Sequence, residues 1–296
     1  MGDLIGREIE GYRVEAEIGR GGQAVVYRAT QLSLQRAVAL KVVTAPLSSD
    51  AAFRARFARE GIAAASLDHP HIIPVFEAGE TEDMAFLAMK FVDGPSLEGV
   101  IRSAHGIEVR RTLGIVRQVA EALDHISALG MVHRDVKPAN ILLGPGDRAY
   151  LSDFGLIKAI SDTPLTGGGM WLGTFDYVAP EQIRGGEVTP AADRYALAAL
   201  AYEALTGAPV FPRADRTATL YAHVNDAPPA ASGRNPALGP AVDAVLARGL
   251  AKEPGDRYPS ALAFAADLEA AVAATPGAAA SRPPRAAVPP PPPPPP

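Results

Sequence analysis

The order in which two hydrophobic periods occur along this chain is the strongest constraint on its fold. Short apolar runs fill the first third, alternating with polar residues at 12–18 and more nearly continuous at 25–29, 37–43, 72–76 and 85–91. Alternation puts successive side chains on opposite faces of a pleated backbone, and short apolar runs bounded by turn residues suit strands buried on both faces, so these runs read as β-strands. From Leu97 onward the spacing changes to three and four residues, most clearly in Thr112–Leu129 and Ala191–Leu205, and these read as helices. One helix is expected among the strands, from Ala51 to about Leu67, with Ser48, Ser49 and Asp50 offering N-cap oxygens. Strands first and helices later imply an α+β chain with a small sheet lobe and a larger helical lobe, joined near Val92–Pro95. Between the long helices, residues 131–181 form a loop-rich block holding most of the unusual chemistry. The expected divisions are 1–11 as an N-terminal extension, 12–92 as the sheet lobe, 93–273 as the helical lobe and 274–296 as an Ala/Pro-rich tail. The tail closes on eight prolines, Pro289–Pro296. It lacks ladder donors and core-forming side chains, so it reads as an extended polyproline II tether.

Composition narrows the function. The 296 residues carry 28 Lys+Arg against 33 Asp+Glu, a net charge of −5 with the signs well mixed. A protein built to coat nucleic acid would carry a basic surplus, so no nucleic-acid partner is expected. With no cysteine, disulfide frameworks, thiol nucleophiles, iron–sulfur clusters and cysteine-based zinc sites are excluded. No apolar run reaches the ~18 residues of a membrane span. The start, MGDLIGREIEGYR, lacks a basic segment followed by an apolar one. A cytoplasmic location is expected, with membrane association only if the chain is a fragment of a longer receptor. Gly2 invites a myristoylation reading, but Gly6 stands where that motif wants Ser or Thr.

Between the first two long strands lies Ile18-Gly19-Arg20-Gly21-Gly22-Gln23-Ala24-Val25-Val26. Glycines let a backbone approach phosphate oxygens and aim N–H groups at them. Alone the stretch reads more readily as a plain hairpin turn, and Ala24 replaces the third glycine of a G-x-G-x-x-G pattern. A strand, not a helix, follows it, which disfavours a dinucleotide fold. Lys41 sits inside the apolar strand Val38-Ala39-Leu40-Lys41-Val42. A lysine there either snorkels to water or needs a partner. In the helix 51–67, Phe53, Phe57, Glu60 and Ala64 share one stripe, which puts Glu60 on the inward face. A Lys41–Glu60 ion pair is therefore expected. Gly61 follows directly, and a mid-helix glycine costs roughly 1 kcal/mol relative to alanine. The helix is thus expected to swing, opening that pair when no ligand is bound.

Further on stand His133-Arg134-Asp135-Val136-Lys137-Pro138-Ala139-Asn140, then Asp153-Phe154-Gly155, then Ala179-Pro180-Glu181. The glycine loop, VALK, the helix glutamate, HRDVKPAN, DFG and APE occur in one order. In this the chain resembles the eukaryotic-type (Hanks-type) serine/threonine protein kinase catalytic domain of bacteria, over about residues 12–272. The resemblance implies a bilobal kinase-like fold, with a small antiparallel sheet lobe carrying one helix and a mainly helical C-terminal lobe. It implies ATP as phosphate donor with Mg²⁺, or Mn²⁺ in its place, and protein Ser/Thr hydroxyls as acceptors. By resemblance Asp135 handles the hydroxyl proton, Lys137 steadies the γ-phosphate, Lys41 holds the α- and β-phosphates, and Asn140 and Asp153 bring oxygen ligands to the metal. Ile18, Gly19, Arg20, Gly21 and Gly22 would cover the phosphates. Met89 would back the adenine pocket, with Val26, Ala39 and Leu142 around the ring. Backbone groups of Lys90 and Val92 would take the adenine hydrogen bonds, and Asp93 belongs to the same connecting segment. Lys137 and Gly173-Thr174 fit the Ser/Thr branch, with Thr174 bonding near Asp135.

Three further residues are given structural roles by resemblance. Asp193 would brace the catalytic loop, Arg257 would pair with Glu181, and His133 would pack rather than act as a base. His69-Pro70-His71 might suggest a metal pair, but the family has a His-Pro turn there and no third ligand is near in sequence. Arg134 would bind a phosphate on the activation segment 156–178, where Thr166, eight residues before Thr174, is the expected autophosphorylation site. Partners implied are protein substrates, a second copy for trans-autophosphorylation, and a Pro-rich-binding domain at the tail. The alternatives are a pseudokinase scaffold that binds without transfer, a small-molecule kinase of related fold, and an interaction module. The intact Lys41, Asp135, Asn140 and Asp153 weigh against the scaffold. Arg134 and APE weigh against the small-molecule enzyme.

Overall fold

In the computed structural model the described residues are 4–21, 24–44, 61, 64–81, 84–153 and 175–275. Six antiparallel strands make the small lobe: β1 (Glu8–Ile9), β2 (Tyr12–Arg20), β3 (Ala24–Gln31), β4 (Arg36–Thr44), β5 (Val75–Glu80) and β6 (Met84–Lys90), in the order β1-β2-β3-β4-β6-β5. A two-stranded ribbon follows, β7 (Ile141–Gly144) with β8 (Arg148–Leu151). Among the described residues the large lobe has seven helices. They are α1 (Leu97–Ala104), α2 (Val109–Ala128), α3 (Pro180–Arg184), α4 (Pro190–Thr206), α5 (Arg216–Asn225), α6 (Pro240–Gly249) and α7 (Ala261–Ala273). The architecture is the α+β, two-lobed one expected.

Alternation along β4 decides what faces the other lobe. Val38, Leu40 and Val42 point outward into a cluster with Tyr12, Val14, Val25, Tyr27 and Phe86. Ala39 and Val43 point the other way, into a second cluster with Ile73, Leu87, Met89 and Tyr150. Lys41 shares their parity, so a strand of period two delivers its ammonium to the inter-lobe side. The register Val26↔Lys41 and Lys41↔Leu87 places it centrally in the sheet. Residues before Tyr12 join the outer cluster: Leu4 and Ile9 are buried, and β1 pairs with β2.

The strand expected at 72–76 is displaced. Pro74 lacks an N–H and divides the apolar run. Ile72 bridges Leu151 instead, and β5 begins at Val75. Gly61 has a packing reason for being glycine: a Cβ there would lie 2.7 Å from the Ala78 Cβ and 3.4 Å from the Leu87 Cδ1. This close approach gives Gly61 a reason beyond helix propensity. Gly61→Ala is expected to lower Tm despite alanine's better helix propensity, because overpacking outweighs it. A thermal melt with raised Tm would contradict this.

The large lobe is built around α4, which is buried almost all round and rich in alanine. Thr189 caps it, Pro190 occupies its first turn, and Gly207 ends it at φ 76°. α2 starts at Val109, three residues before the expected Thr112, because the Glu108 carboxylate caps it by accepting the Arg110 and Arg111 N–H groups.

Candidate active site

The site lies where the inner sheet face meets the β7–β8 ribbon. Ala39, Met89, Val26, Val92 and Leu142 come from both lobes and the connection between them, and all belong to one apolar cluster. Asp93, just beyond, is exposed. Gly19 pairs with Val26 across the β2–β3 hairpin, which the Gly21 N–H closes onto the Ala24 carbonyl at 2.8 Å. Ile18 is about half exposed, at 48%. Arg20 lies on the exposed side and pairs with Glu17. Gly22, Glu60, Thr166 and Thr174 lie outside the described residues, as do Phe154 and Gly155.

Lys41 is buried, and its Nζ donates to Asp153 Oδ1 at 2.7 Å, across 112 positions of sequence. Asp153 sits two residues past β8 at φ 58°, and Arg134 has φ 67°. Both are non-glycine residues in the left-handed region, a conformation that surrounding structure must hold in place. His133 is fully buried and provides part of that hold. Its Nδ1 accepts the Asp135 N–H at 3.3 Å, which leaves Nε2 protonated in the neutral ring, facing the Ser152 carbonyl at 3.1 Å. Ser152 also donates its N–H and its hydroxyl to the Asn140 carbonyl, at 2.9 and 3.0 Å. The loop carrying Asp135 and the strand end carrying Asp153 are thus tied directly. Sequence reading missed Ser152; the only signal was a polar residue closing the apolar strand Ala149-Tyr150-Leu151.

Asp135 is held from two sides. Lys137 Nζ and Asn140 Nδ2 both donate to its Oδ2, at 2.9 and 3.0 Å, and Nδ2 also bonds the Asp135 carbonyl at 2.8 Å. Below the loop, Asp193 in the first turn of α4 accepts the His133 and Arg134 N–H groups at 2.7 and 2.8 Å. Burial pushes its carboxyl up to about 6, while those two donors and Arg134 act in the opposite direction. A concave surface beside Asp135 is lined by Lys137, Tyr177, Val178, Gln182 and Ala196. Further from the cleft, the guanidinium of Arg257 is fully buried and donates to both Glu181 oxygens at 2.7 Å. It also bonds the carbonyls of Ala191, Ala251 and Lys252.

His69 and His71 stand near a third ring, with His69 stacked on His125 at 5.1 Å. Among the described residues no group of three or more His, Cys, Asp or Glu could hold a metal ion. Burial and the neighbouring imidazoles hold His69 below the usual histidine range.

A two-lobed chain with a buried strand lysine on an aspartate after β8, and a braced Asp–Lys–Asn loop tied to that strand end through Ser152, has the architecture of a protein-kinase catalytic domain. The family model described as protein kinase domain matches residues 12–263, and the chain belongs to that family. Within it the chain belongs with the Hanks-type bacterial serine/threonine kinases. Serine/threonine-protein kinase PknD of Mycobacterium tuberculosis is 44% identical over 259 residues, covering 87% of this chain and 39% of PknD. PknE of the same organism is 42% identical over 253 residues, covering 86% of this chain and 44% of PknE. This chain therefore spans less than half the length of these curated relatives. The crystal structure of the M. tuberculosis PknI kinase domain superposes with TM-score 0.75 at 33% identity, covering 92% of this chain and all of that one. Rad53 in complex with AMP-PNP, 22% identical with TM-score 0.73, shares the fold. Among the described residues no helix is long and apolar enough to cross a membrane.

Proposed function

We propose that this chain transfers the γ-phosphate of ATP to serine or threonine hydroxyls of proteins, its own activation segment included. The observation that carries the reading is the Lys41–Asp153 pair next to Ser152, which is bonded to the Asn140 carbonyl of the loop where Lys137 and Asn140 hold Asp135. Phosphoryl transfer needs alignment and charge neutralisation more than covalent chemistry, and this group of side chains supplies both. Asp135, its rotamer fixed through Oδ2, receives or orients the hydroxyl proton of the acceptor. Lys137 faces the transferred phosphoryl group, and Lys41 pairs with the remaining phosphates. Protein substrates lie along the concave surface beside Asp135.

The residues present fit a hard divalent cation. Asn140 commits its amide nitrogen to Asp135, which leaves its carbonyl oxygen as the ligand atom, and Asp153 adds a carboxylate. Two oxygen ligands plus phosphate oxygens suit Mg²⁺, with Mn²⁺ a substitute. When bound, the ion would neutralise charge on the phosphates. Thr166 is proposed as the main autophosphorylation site and Arg134 as the group that receives its phosphate. A second copy of the chain would act in trans, and a Pro-rich-binding domain would take the tail. Among the described residues nothing favours the pseudokinase reading.

Incubation with labelled ATP and Mg²⁺, followed by phosphoamino-acid analysis, tests the proposal. Label is expected on Ser and Thr, abolished by EDTA and restored by Mg²⁺. Label on Tyr alone, or unaffected by EDTA, would overturn it. Asp193 adds a pH test. Its carboxyl titrates higher in the fold, at about 6, than its ordinary 3.8. Over that window the folded state holds more of this proton, so this group's contribution to stability grows as pH falls. Function has the opposite sign, because a protonated oxygen no longer accepts a loop N–H. The transfer rate should fall as pH drops through about 6, with no parallel fall in this group's contribution to Tm. A rate that holds constant to about pH 4 at saturating Mg-ATP would contradict this bracing role.

A further inference from the structure

Two stretches of chain next to the small lobe are stitched to the β7–β8 ribbon. On one side, residues 71–73 run beside β8: the Leu151 N–H donates to the His71 carbonyl at 2.8 Å, and the Ile73 N–H to the Leu151 carbonyl at 2.9 Å. On the other, residues 94–96 run beside β7: the Leu143 N–H donates to the Pro95 carbonyl at 2.9 Å, and Ser96 bridges Leu142. Gly94 approaches so closely that a Cβ would lie 1.9 Å from the Leu143 carbonyl oxygen. These stretches therefore belong mechanically to the large lobe. Two pivots for the small lobe then fall at Pro74 after the first stretch and at 90–93 before the second. The two pivots touch, since the Lys90 N–H donates to the Pro74 carbonyl at 2.9 Å.

The Lys90 side chain spans the pivot. Its Nζ donates to the Tyr150 hydroxyl at 2.9 Å and lies 4.5 Å from the centre of that ring. Tyr150 is buried, three residues before Asp153, and belongs to the same apolar cluster as Ala39 and Met89. Its ring also has the Arg148 guanidinium at 5.3 Å, and Arg148 bonds the Pro70 carbonyl just before the first stretch. A lysine side chain is otherwise long and freely rotating, so fixing it here ties the hinge backbone to the strand that leads into Asp153.

We infer that Lys90 and Tyr150 form an inter-lobe latch, acting as positioning residues that preset the hinge backbone for the nucleotide base. The inference rests on the ATP reading above, and its physical content is preorganisation: a hinge held in the binding geometry loses less freedom when ligand arrives. The probe is Mg-AMP-PNP, with Kd measured calorimetrically for wild type, Tyr150→Phe, Lys90→Met, the double variant and Lys90→Arg. Each single loss should weaken binding roughly 3- to 10-fold, the size of one charge-assisted hydrogen bond with a ring contact. The double variant should bind no more weakly than Lys90→Met, because one interaction is lost only once. Lys90→Arg, which can still donate to the phenol and lie on the ring, should recover binding to within about twofold of wild type. Tm should stay within a few degrees throughout. Unchanged Kd in both single variants, or losses that multiply in the double, would overturn the latch. Failure of wild type to bind Mg-AMP-PNP would instead overturn the nucleotide reading beneath it.

Discussion

Asp135→Asn should slow phosphate transfer by roughly 10²- to 10⁴-fold, the usual worth of a positioned general base. Mg-AMP-PNP affinity should stay within about threefold of wild type. The amide matches the carboxylate in shape and still accepts from Lys137 and Asn140, which hold Oδ2 at 2.9 and 3.0 Å. What it loses is the negative charge that receives the hydroxyl proton. Lys41→Met should lose a comparable factor for another reason. It strips a buried ammonium of the inner sheet face from the phosphates and leaves Asp153 without the cation now 2.7 Å away. Rapid-quench kinetics with single-turnover ATP separates transfer from binding. A tenfold or smaller effect of Asp135→Asn on the transfer step would remove Asp135 from the chemistry.

The second large effect is on stability. Arg257→Met should destabilise the fold by about 3–5 kcal/mol, because removing one partner of a buried ion pair leaves the other uncompensated. Glu181 would keep its charge in a site where only 9% of its side chain is exposed, and three backbone carbonyls would lose their donor. For a chain of this size that corresponds to a Tm lower by roughly 10 °C. Adding Glu181→Leu should recover part of the loss, since an apolar pair no longer carries the stranded charge. A melt of Arg257→Met unchanged from wild type, or a double variant less stable than either single, would contradict this account of the pair.

Much of this site was legible in the sequence because its chemistry is local in type even where it is distant in space. The order of periods separated sheet lobe from helical lobe, and short strings of Asp, Lys and Asn marked the loops that meet between them. What escaped did so for physical reasons. Glu108 caps α2 with a side chain less usual at that position than Ser, Thr, Asp or Asn, so the apolar spacing alone places the helix start three residues late. Pro74 cut an apolar run whose first half pairs with Leu151 rather than with β6. The ribbon β7–β8 lay inside a block read as loop-rich, since four-residue strands give almost no periodic signal. Gly61 was read from helix propensity alone, whereas Ala78 and Leu87 on the facing strands fix its size. The Lys90 side chain reaches a tyrosine 60 positions away, a contact no local pattern announces. The expected Glu60 partner for Lys41, the Thr166 phosphosite and the polyproline tail lie outside the described residues.

The central claim is that Lys41, Asp135, Asn140 and Asp153 act together on one ATP. The most direct measurement is phosphate incorporation from labelled Mg-ATP into wild type, Lys41→Met and Asp135→Asn proteins purified in parallel. Strong labelling of the wild type with near-background labelling of both variants is the predicted result. Equal labelling of all three would assign the activity to a contaminant and contradict the claim.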